Sequence, residues 1–191
     1  MIKNTIILVL LFYGFIFPQS EINTFEKSAF AISYINSSEK NGLEDYWEIQ
    51  NGFGGYFQTQ FYIGEISVGV SLFTFKGLKG KHNNFSSSYI YFSWIGVLKM
   101  PLNSSLGAGI KVGTYLMTFS GDTLSIFQKQ ESELAVSPYA IFSIQVFDPI
   151  SLNLSGEFIT VFTHRPMKFF NISAGVSYAF TTPNWLKRLF K

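Results

Sequence analysis

Hydrophobic and polar residues alternate along most of the chain, and the pattern is clearest near its C-terminal end. In SLNLSGEFITVF, residues 151–162, Leu152 and Leu154 share one face while Asn153 and Glu157 share the other. Successive side chains of a β-strand point to opposite sides, so a period of two predicts a strand with one apolar and one polar face. The later segment FFNISAGVSYAF repeats this pattern.

Eight such segments account for most of the chain, and the links between them alternate in length. Short links at 64–65, 101–103 and 148–149 join three pairs of segments, whereas the other four links are longer. In an up-and-down antiparallel barrel, successive links lie at opposite ends, and transmembrane barrels combine short periplasmic turns with longer extracellular loops. The segments cover approximately residues 27–37, 52–63, 65–77, 87–100, 103–119, 133–147, 150–163 and 168–180, and the longer links cover 38–51, 78–86, 120–132 and 164–167.

The pattern therefore predicts an all-β fold, an eight-stranded antiparallel up-and-down transmembrane β-barrel over residues 21–180. Each segment is long enough to cross a bilayer at a tilt, and an even number of strands closes the sheet without an unpaired edge in lipid. Segment 87–100 is apolar on both faces, which leaves its register open.

A secreted, soluble, lipocalin-like barrel is the alternative fold. It would hold a small hydrophobic ligand in an apolar interior and present a charged exterior to water. Only 14% of the residues are charged, whereas soluble domains average about 25%. The polar faces of the predicted strands carry few lysines and glutamates, which favours the membrane barrel.

Residues 1–20 have the features of a secretory signal peptide. Lys3 precedes an apolar run over residues 6–17, and a polar segment ending at Ser20 follows. This run of about twelve residues is shorter than the roughly 20 that a membrane-spanning helix needs. We therefore expect export, with cleavage after Ser20.

The segment GVSYAF, residues 175–180, closes the last predicted strand with Tyr178 and Phe180. It resembles the terminal-strand signal, ending in an aromatic residue, of small Gram-negative outer-membrane barrels with the OmpA/OmpX-like architecture. The resemblance implies an outer-membrane location and recognition of Tyr178 and Phe180 by the barrel-assembly machinery. Members of this family usually end at that aromatic residue, whereas residues 181–191 follow here. We expect a short periplasmic tail, either an amphipathic segment on the membrane surface or a frayed end.

Lys111 and Glu157 are the only charges deep within the clearly alternating strands, and both lie on polar faces. Each lies about seven positions above the start of its strand, so we expect the two at a similar height as a lumen ion pair. Such a pair acts either as a plug or gate in a narrow passage or as a structural element. The structural interpretation is favoured, because a lone buried charge is costly.

Basic residues are concentrated in two predicted loop regions. Lys76 lies at the end of the third segment and Lys79 and Lys81 in the link after it, whereas Arg165 lies in the link before the eighth segment and Lys168 begins that segment. At the outer surface they are candidates for charge-assisted hydrogen bonds to lipopolysaccharide phosphates. The same composition is equally typical of an ordinary solvated loop.

No grouping of residues has the pattern of a catalytic or metal site. The chain has two distant histidines and no cysteine, so we predict no enzyme activity, no metal and no cofactor. A net charge of +2 gives no strong field for nucleic acid. The sequence predicts a monomeric, non-enzymatic outer-membrane barrel with a structural or surface-interaction role, in contact with outer-membrane lipids, lipopolysaccharide or neighbouring proteins. A lipid A-modifying enzyme is a less favoured alternative.

Overall fold

The computed structural model describes residues 24–40, 45–78, 83–120, 130–164 and 166–189. The predicted signal peptide lies outside these residues, and no helix within them is long and apolar enough to span a membrane. The elements are β1 (Lys27–Lys40), β2 (Trp47–Ile49), β3 (Gly52–Gln60), β4 (Glu65–Gly77), β5 (Phe85–Met100), β6 (Ser104–Phe119), β7 (Gln130–Phe147), β8 (Ile150–Val161), β9 (Met167–Thr181) and α1 (Asn184–Leu189).

The strands pair antiparallel in a closed cycle. β1 pairs with both β3 and β9, the strands from β5 to β9 pair in chain order, and β4 pairs with β5 to complete the cycle. β2 and β3 pair with successive parts of β4, so they form one strand interrupted at Gln50 and Asn51. The Gln50 amide continues the ladder by donating to the Thr74 carbonyl oxygen at 2.8 Å. The barrel has eight strands, which confirms the predicted fold class.

The connections give the barrel two different ends. Three short turns, at 61–64, 101–103 and 148–149, lie where β1 begins and β9 finishes, and we call this the turn end. Gly64 permits its turn because its φ of +90° suits glycine, and a Cβ there would lie 2.1 Å from the Ile95 carbonyl oxygen. The other connections meet at the opposite end, the loop end.

The outward face of the strands is apolar across the middle of the barrel, and we call this surface the outer belt. Its members are Ile32, Val68, Val70, Leu72, Ile90, Phe92, Trp94, Ile110, Val112, Leu134, Phe142, Leu152, Leu154, Phe158, Ile172 and Val176. A closed sheet with an apolar outside is suited to lipid, because all its backbone groups are paired within the protein. The soluble alternative does not fit, since it requires a charged exterior.

The structure shows which residues of segment 87–100 face the lumen, a point that the sequence left open. In β5, Tyr89 and Tyr91 point into the lumen and are at most 5% exposed, whereas Phe92 and Trp94 point outward. The register pairs Ser93 with a serine of β4 on one side and a lysine of β6 on the other. The inward face of this strand is therefore aromatic toward the loop end.

The backbone ladder between β7 and β8 is interrupted at mid-strand, apart from the register shift between Gln145 and Phe147 near the turn end. Between β7 and β8, the described pairs omit Ser137 and Pro138, although pairing holds on either side at Val136 and Tyr139. Proline has no amide hydrogen to donate to the neighbouring strand. Pro138 keeps its register partner Ile110 on β6, so the sheet stays continuous on that side.

Two regions differ from the sequence predictions, namely the link at 38–51 and the start of the C-terminal tail. The predicted loop 38–51 contains the end of β1, which pairs with β9, and the short strand β2, which pairs with the end of β4. After β9, the Thr182 amide donates to the Glu26 carbonyl oxygen at 2.9 Å, and its hydroxyl lies 2.7 Å from that of Ser28. The beginning of the tail is therefore attached to the barrel rather than frayed, and α1 follows it.

A lysine in the outer belt tests whether this surface faces lipid. Val112 lies near the middle of β6 and is 42% exposed, so Val112→Lys would place an ammonium in hydrocarbon. We expect the free energy of unfolding in lipid vesicles to fall by about 2–4 kcal/mol. Leu102→Lys, at a turn where the side chain is 88% exposed, is the control and should cost less than about 1 kcal/mol. Equal losses in a denaturant titration would contradict a lipid-facing belt.

Candidate functional site

An ion pair lies in the lumen near the middle of the barrel. The Lys111 ammonium of β6 contacts the Glu157 carboxylate of β8, and their side chains are 12% and 6% exposed. β7 lies between the two strands, and it opposes Ser137 to Lys111 and Tyr139 to Glu157 in the register. The lysine therefore reaches over β7, and the structure places the two predicted residues at one height.

Hydrogen bonds hold the carboxylate in this position. Asn171 of β9 donates to Glu157 Oε1 at 2.8 Å, and the Ser137 hydroxyl lies 3.4 Å from Oε2. Asn171 in turn accepts a hydrogen bond of 2.6 Å from Ser37 of β1. A buried ion pair is favourable only when additional hydrogen bonds compensate for lost hydration, and three strands, β1, β7 and β9, supply those groups here.

Two tyrosine rings complete the surroundings of the ammonium. Lys111 Nζ lies 4.7 Å from the centroid of Tyr91 and 4.8 Å from that of Tyr139, within the range of cation–π attraction. The hydroxyls of Tyr139 and Ser93 are 3.1 Å apart. Gly69 leaves room for the Tyr91 ring, because a Cβ at Gly69 would lie 2.5 Å from the Tyr91 hydroxyl oxygen.

Sequence reasoning found the two charges but missed the groups around them. Tyr139, Ser137 and Asn171 lie opposite the pair in the strand register. Their signal is positional, because inward-facing residues on neighbouring strands at the same height must meet in a narrow lumen. Register has to be known to within one residue before that signal can be used.

Above the ion pair, the loop-end half of the lumen is filled by apolar and aromatic side chains, which we call the plug. Phe75 and Phe85 stack with centroids 4.1 Å apart, and Phe169 meets Phe73 edge-on at 5.8 Å. The plug consists of Ile35, Phe73, Phe75, Phe85, Tyr89, Tyr115, Met117, Ile159, Val161 and Phe169. The alternation in the sequence predicts polar inward faces, whereas the inward faces in the loop-end half are apolar and aromatic.

Below the ion pair, the lumen is open and polar. A cavity of about 190 Å³ extends from Lys111 toward the turn end. Tyrosine, glutamine, glutamate, asparagine and serine side chains line much of it. The small polar residues expected from the sequence therefore occupy this half, where side chains do not fill the space.

The basic residues predicted to meet lipopolysaccharide are only partly described. Lys76 is exposed on the outward face of β4, and Lys168 is half-buried at the start of β9, both near the loop end. Lys79, Lys81 and Arg165 lie outside the described residues. β3 and β1 separate β4 from β9, so the two described lysines do not form one cluster.

The aromatic residues of the predicted assembly signal lie at the turn end of β9. Tyr178 points outward and is 53% exposed. Phe180 stacks on Phe30 of β1 with centroids 5.5 Å apart and contacts Phe57 of β3 at 6.4 Å. In the part of the chain that the structure describes, no three His, Cys, Asp or Glu residues group closely enough to hold a metal ion.

The closed barrel and its outer belt define a small eight-stranded transmembrane β-barrel of the outer-membrane type. Among solved structures, the chain is similar to Neisserial surface protein A, with 13% identity, a TM-score of 0.57, and coverage of 81% of this chain and 96% of that one. Ail of Yersinia pestis gives 14% identity, a TM-score of 0.51, and coverage of 81% and 99%. The N-terminal β-barrel domain of OprF from Pseudomonas aeruginosa gives 9%, 0.50, and coverage of 83% and 100%.

No protein-family model and no curated protein sequence matches the chain. At such low identities the similarity to these structures concerns the fold, and it confirms the predicted OmpA/OmpX-like barrel architecture. Closed barrels with an apolar belt are the β-structures that span outer membranes. The chain is therefore an outer-membrane barrel.

Removal of one charge from the lumen tests the role of the ion pair. Lys111→Met leaves Glu157 buried without its cation, and we expect a loss of about 3–5 kcal/mol in the free energy of unfolding. Lys111→Met combined with Glu157→Gln should lose less than the single variant, because no uncompensated charge remains. Lys99→Met, at an exposed position near the turn end, controls for the loss of a lysine. Glu157→Gln alone completes the comparison. If the loss of unfolding free energy in the double variant equals the sum of the losses in the two single variants, the charges do not act as a pair.

Proposed function

We propose that this chain is a monomeric, non-enzymatic outer-membrane barrel with a structural and surface-interaction role, in contact with lipopolysaccharide at its loop end. The observation that carries the proposal is the plug. Aromatic rings fill the lumen between the ion pair and the loop end, and several of them are completely buried. A barrel closed at this level is suited to a structural role and not to conducting solutes.

The chemistry of the lumen also supports a non-enzymatic role. Glu157 already accepts hydrogen bonds from Asn171 and Ser137 and contacts Lys111. A carboxylate engaged in this way is poorly placed to act as a general base, which must reach a substrate proton. The plug further separates it from the loop end.

The positions of two lysines support contact with lipopolysaccharide. Lys76 and Lys168 lie near the loop end on strands whose outward faces continue into the outer belt. Phosphate groups of an outer leaflet would lie at the same level as the loop-end border of that belt. Lys79 and Lys81 follow Lys76 closely in sequence, and Arg165 precedes Lys168. These residues extend the proposed contact, in which lysines and arginine form charge-assisted hydrogen bonds with phosphate.

Biogenesis requires a second partner. We propose that the barrel-assembly machinery recognises Tyr178 and Phe180 at the end of β9. The exposed ring of Tyr178 and the position of Phe180 beside β1 support this assignment, because both aromatic residues lie where the last strand meets the first.

Lipopolysaccharide binding tests the surface role. We expect Lys76→Gln combined with Lys168→Gln to weaken binding of fluorescent lipopolysaccharide to the detergent-solubilised barrel by about three- to tenfold, since exposed charge contacts contribute about 0.2–1 kcal/mol each. Lys27→Gln combined with Lys99→Gln removes the same charge at the turn end and should leave the affinity unchanged. An equal loss in both double variants, or no loss in the first, would overturn the proposed contact.

A further inference from the structure

The cavity in the turn-end half of the lumen has a definite chemical character. Its wall includes three tyrosines, a glutamine, a carboxylate and an asparagine, together with several serines. These are Tyr56, Tyr91, Tyr139, Gln58, Glu65 and Asn153. Aromatic faces, hydroxyls and amide oxygens all interact favourably with a positive charge.

Glu65 provides the unbalanced charge of this cavity. Lys111, at the top, is already neutralised by Glu157, whereas the described residues include no ion pair to Glu65. Glu65, Tyr56 and Tyr139 all line this cavity. The positive charge of Lys99 acts on Glu65, and Lys99 is exposed near the turn end on the strand that pairs with β4.

The barrel already holds one ammonium group between a carboxylate and tyrosine rings. Its own Lys111 ammonium lies against one carboxylate and 4.7 and 4.8 Å from two tyrosine rings. Below it, a second carboxylate, Glu65, and a further ring, Tyr56, line the cavity with Tyr139, which belongs to both sets. In this second set, open space lies where the first set holds the Lys111 ammonium.

We propose that the turn-end cavity binds a small primary alkylammonium ion, with Glu65 as its counter-ion and Tyr56 and Tyr139 as its aromatic walls. The volume of about 190 Å³ accommodates a group of the size of a lysine side chain. Gln58 and the serine hydroxyls accept hydrogen bonds from the ammonium. An anion is disfavoured, because it would face Glu65 in a cavity whose one lining lysine, Lys111, is already paired with Glu157.

Calorimetric titration of the purified, detergent-solubilised barrel with n-butylammonium chloride tests the site. This probe copies the lysine side chain, and n-butanol has the same length without the charge. We expect saturable one-to-one binding of n-butylammonium and no saturable binding of n-butanol. Absence of saturable n-butylammonium binding, or equal binding of the alcohol, would overturn the proposal.

Three variants locate the binding. Glu65→Gln should weaken n-butylammonium binding by about tenfold or more, as expected for loss of a charged hydrogen-bond partner. Glu133→Gln removes a carboxylate from β7 near the loop end and should have no effect. Lys99→Gln removes the competing charge and should tighten binding by about two- to fivefold.

The variant at Lys99 keeps the test decisive if Glu65→Gln does not fold. Lys99 is exposed, so its replacement leaves the barrel intact while raising the negative potential at Glu65. Unchanged affinity in Lys99→Gln, or full affinity in a folded Glu65→Gln barrel, would show that the cation does not bind beside Glu65.

Discussion

Closure of the backbone hydrogen-bond ladder in lipid is the constraint on which the rest of this structure depends. A bilayer offers no water to an unpaired amide, so a sheet can cross it only when its last strand returns to its first. Here β9 pairs with β1 along both strands, from Lys27 with Thr181 to Lys40 with Lys168. The interruption between β7 and β8 is tolerated at Pro138, a residue that has no amide hydrogen to leave unpaired.

Closure with eight strands gives a lumen that side chains nearly fill, and the chain divides this space into three layers. The plug occupies the loop-end half, the Lys111–Glu157 pair with its hydrogen bonds lies below it, and the polar cavity opens toward the turn end. The layers have different consequences. The plug fills the loop-end half of the lumen, the ion pair links strands β6 and β8 over β7, and Glu65 lines the cavity at the turn end.

The fold was accessible from the sequence because lipid imposes simple rules on a strand. An apolar outward face every second residue and alternating short and long links are both consequences of crossing a bilayer repeatedly. The paired heights of Lys111 and Glu157 followed from counting residues along two strands that run in the same direction. Such counting needs only strand starts, which the short turns marked well.

The plug and the cavity were not accessible in the same way. In β5, aromatic and aliphatic residues occur on both faces, so period two does not distinguish Tyr89 in the lumen from Phe92 in the outer belt. The cavity depends on where small inward residues such as Gly69 let a ring lie flat, which is a property of several strands together. Likewise, the separation of Lys76 from Lys168 emerges only from strand order, because two strands lie between their positions.

The most direct test of a lipid-embedded barrel is fractionation of the native host, followed by gel mobility of the protein in SDS with and without boiling. The account predicts recovery in the outer-membrane fraction and a change of mobility on boiling, because the closed sheet resists SDS until it is heated. Recovery as a soluble protein that needs no detergent, with one mobility under both conditions, would contradict it.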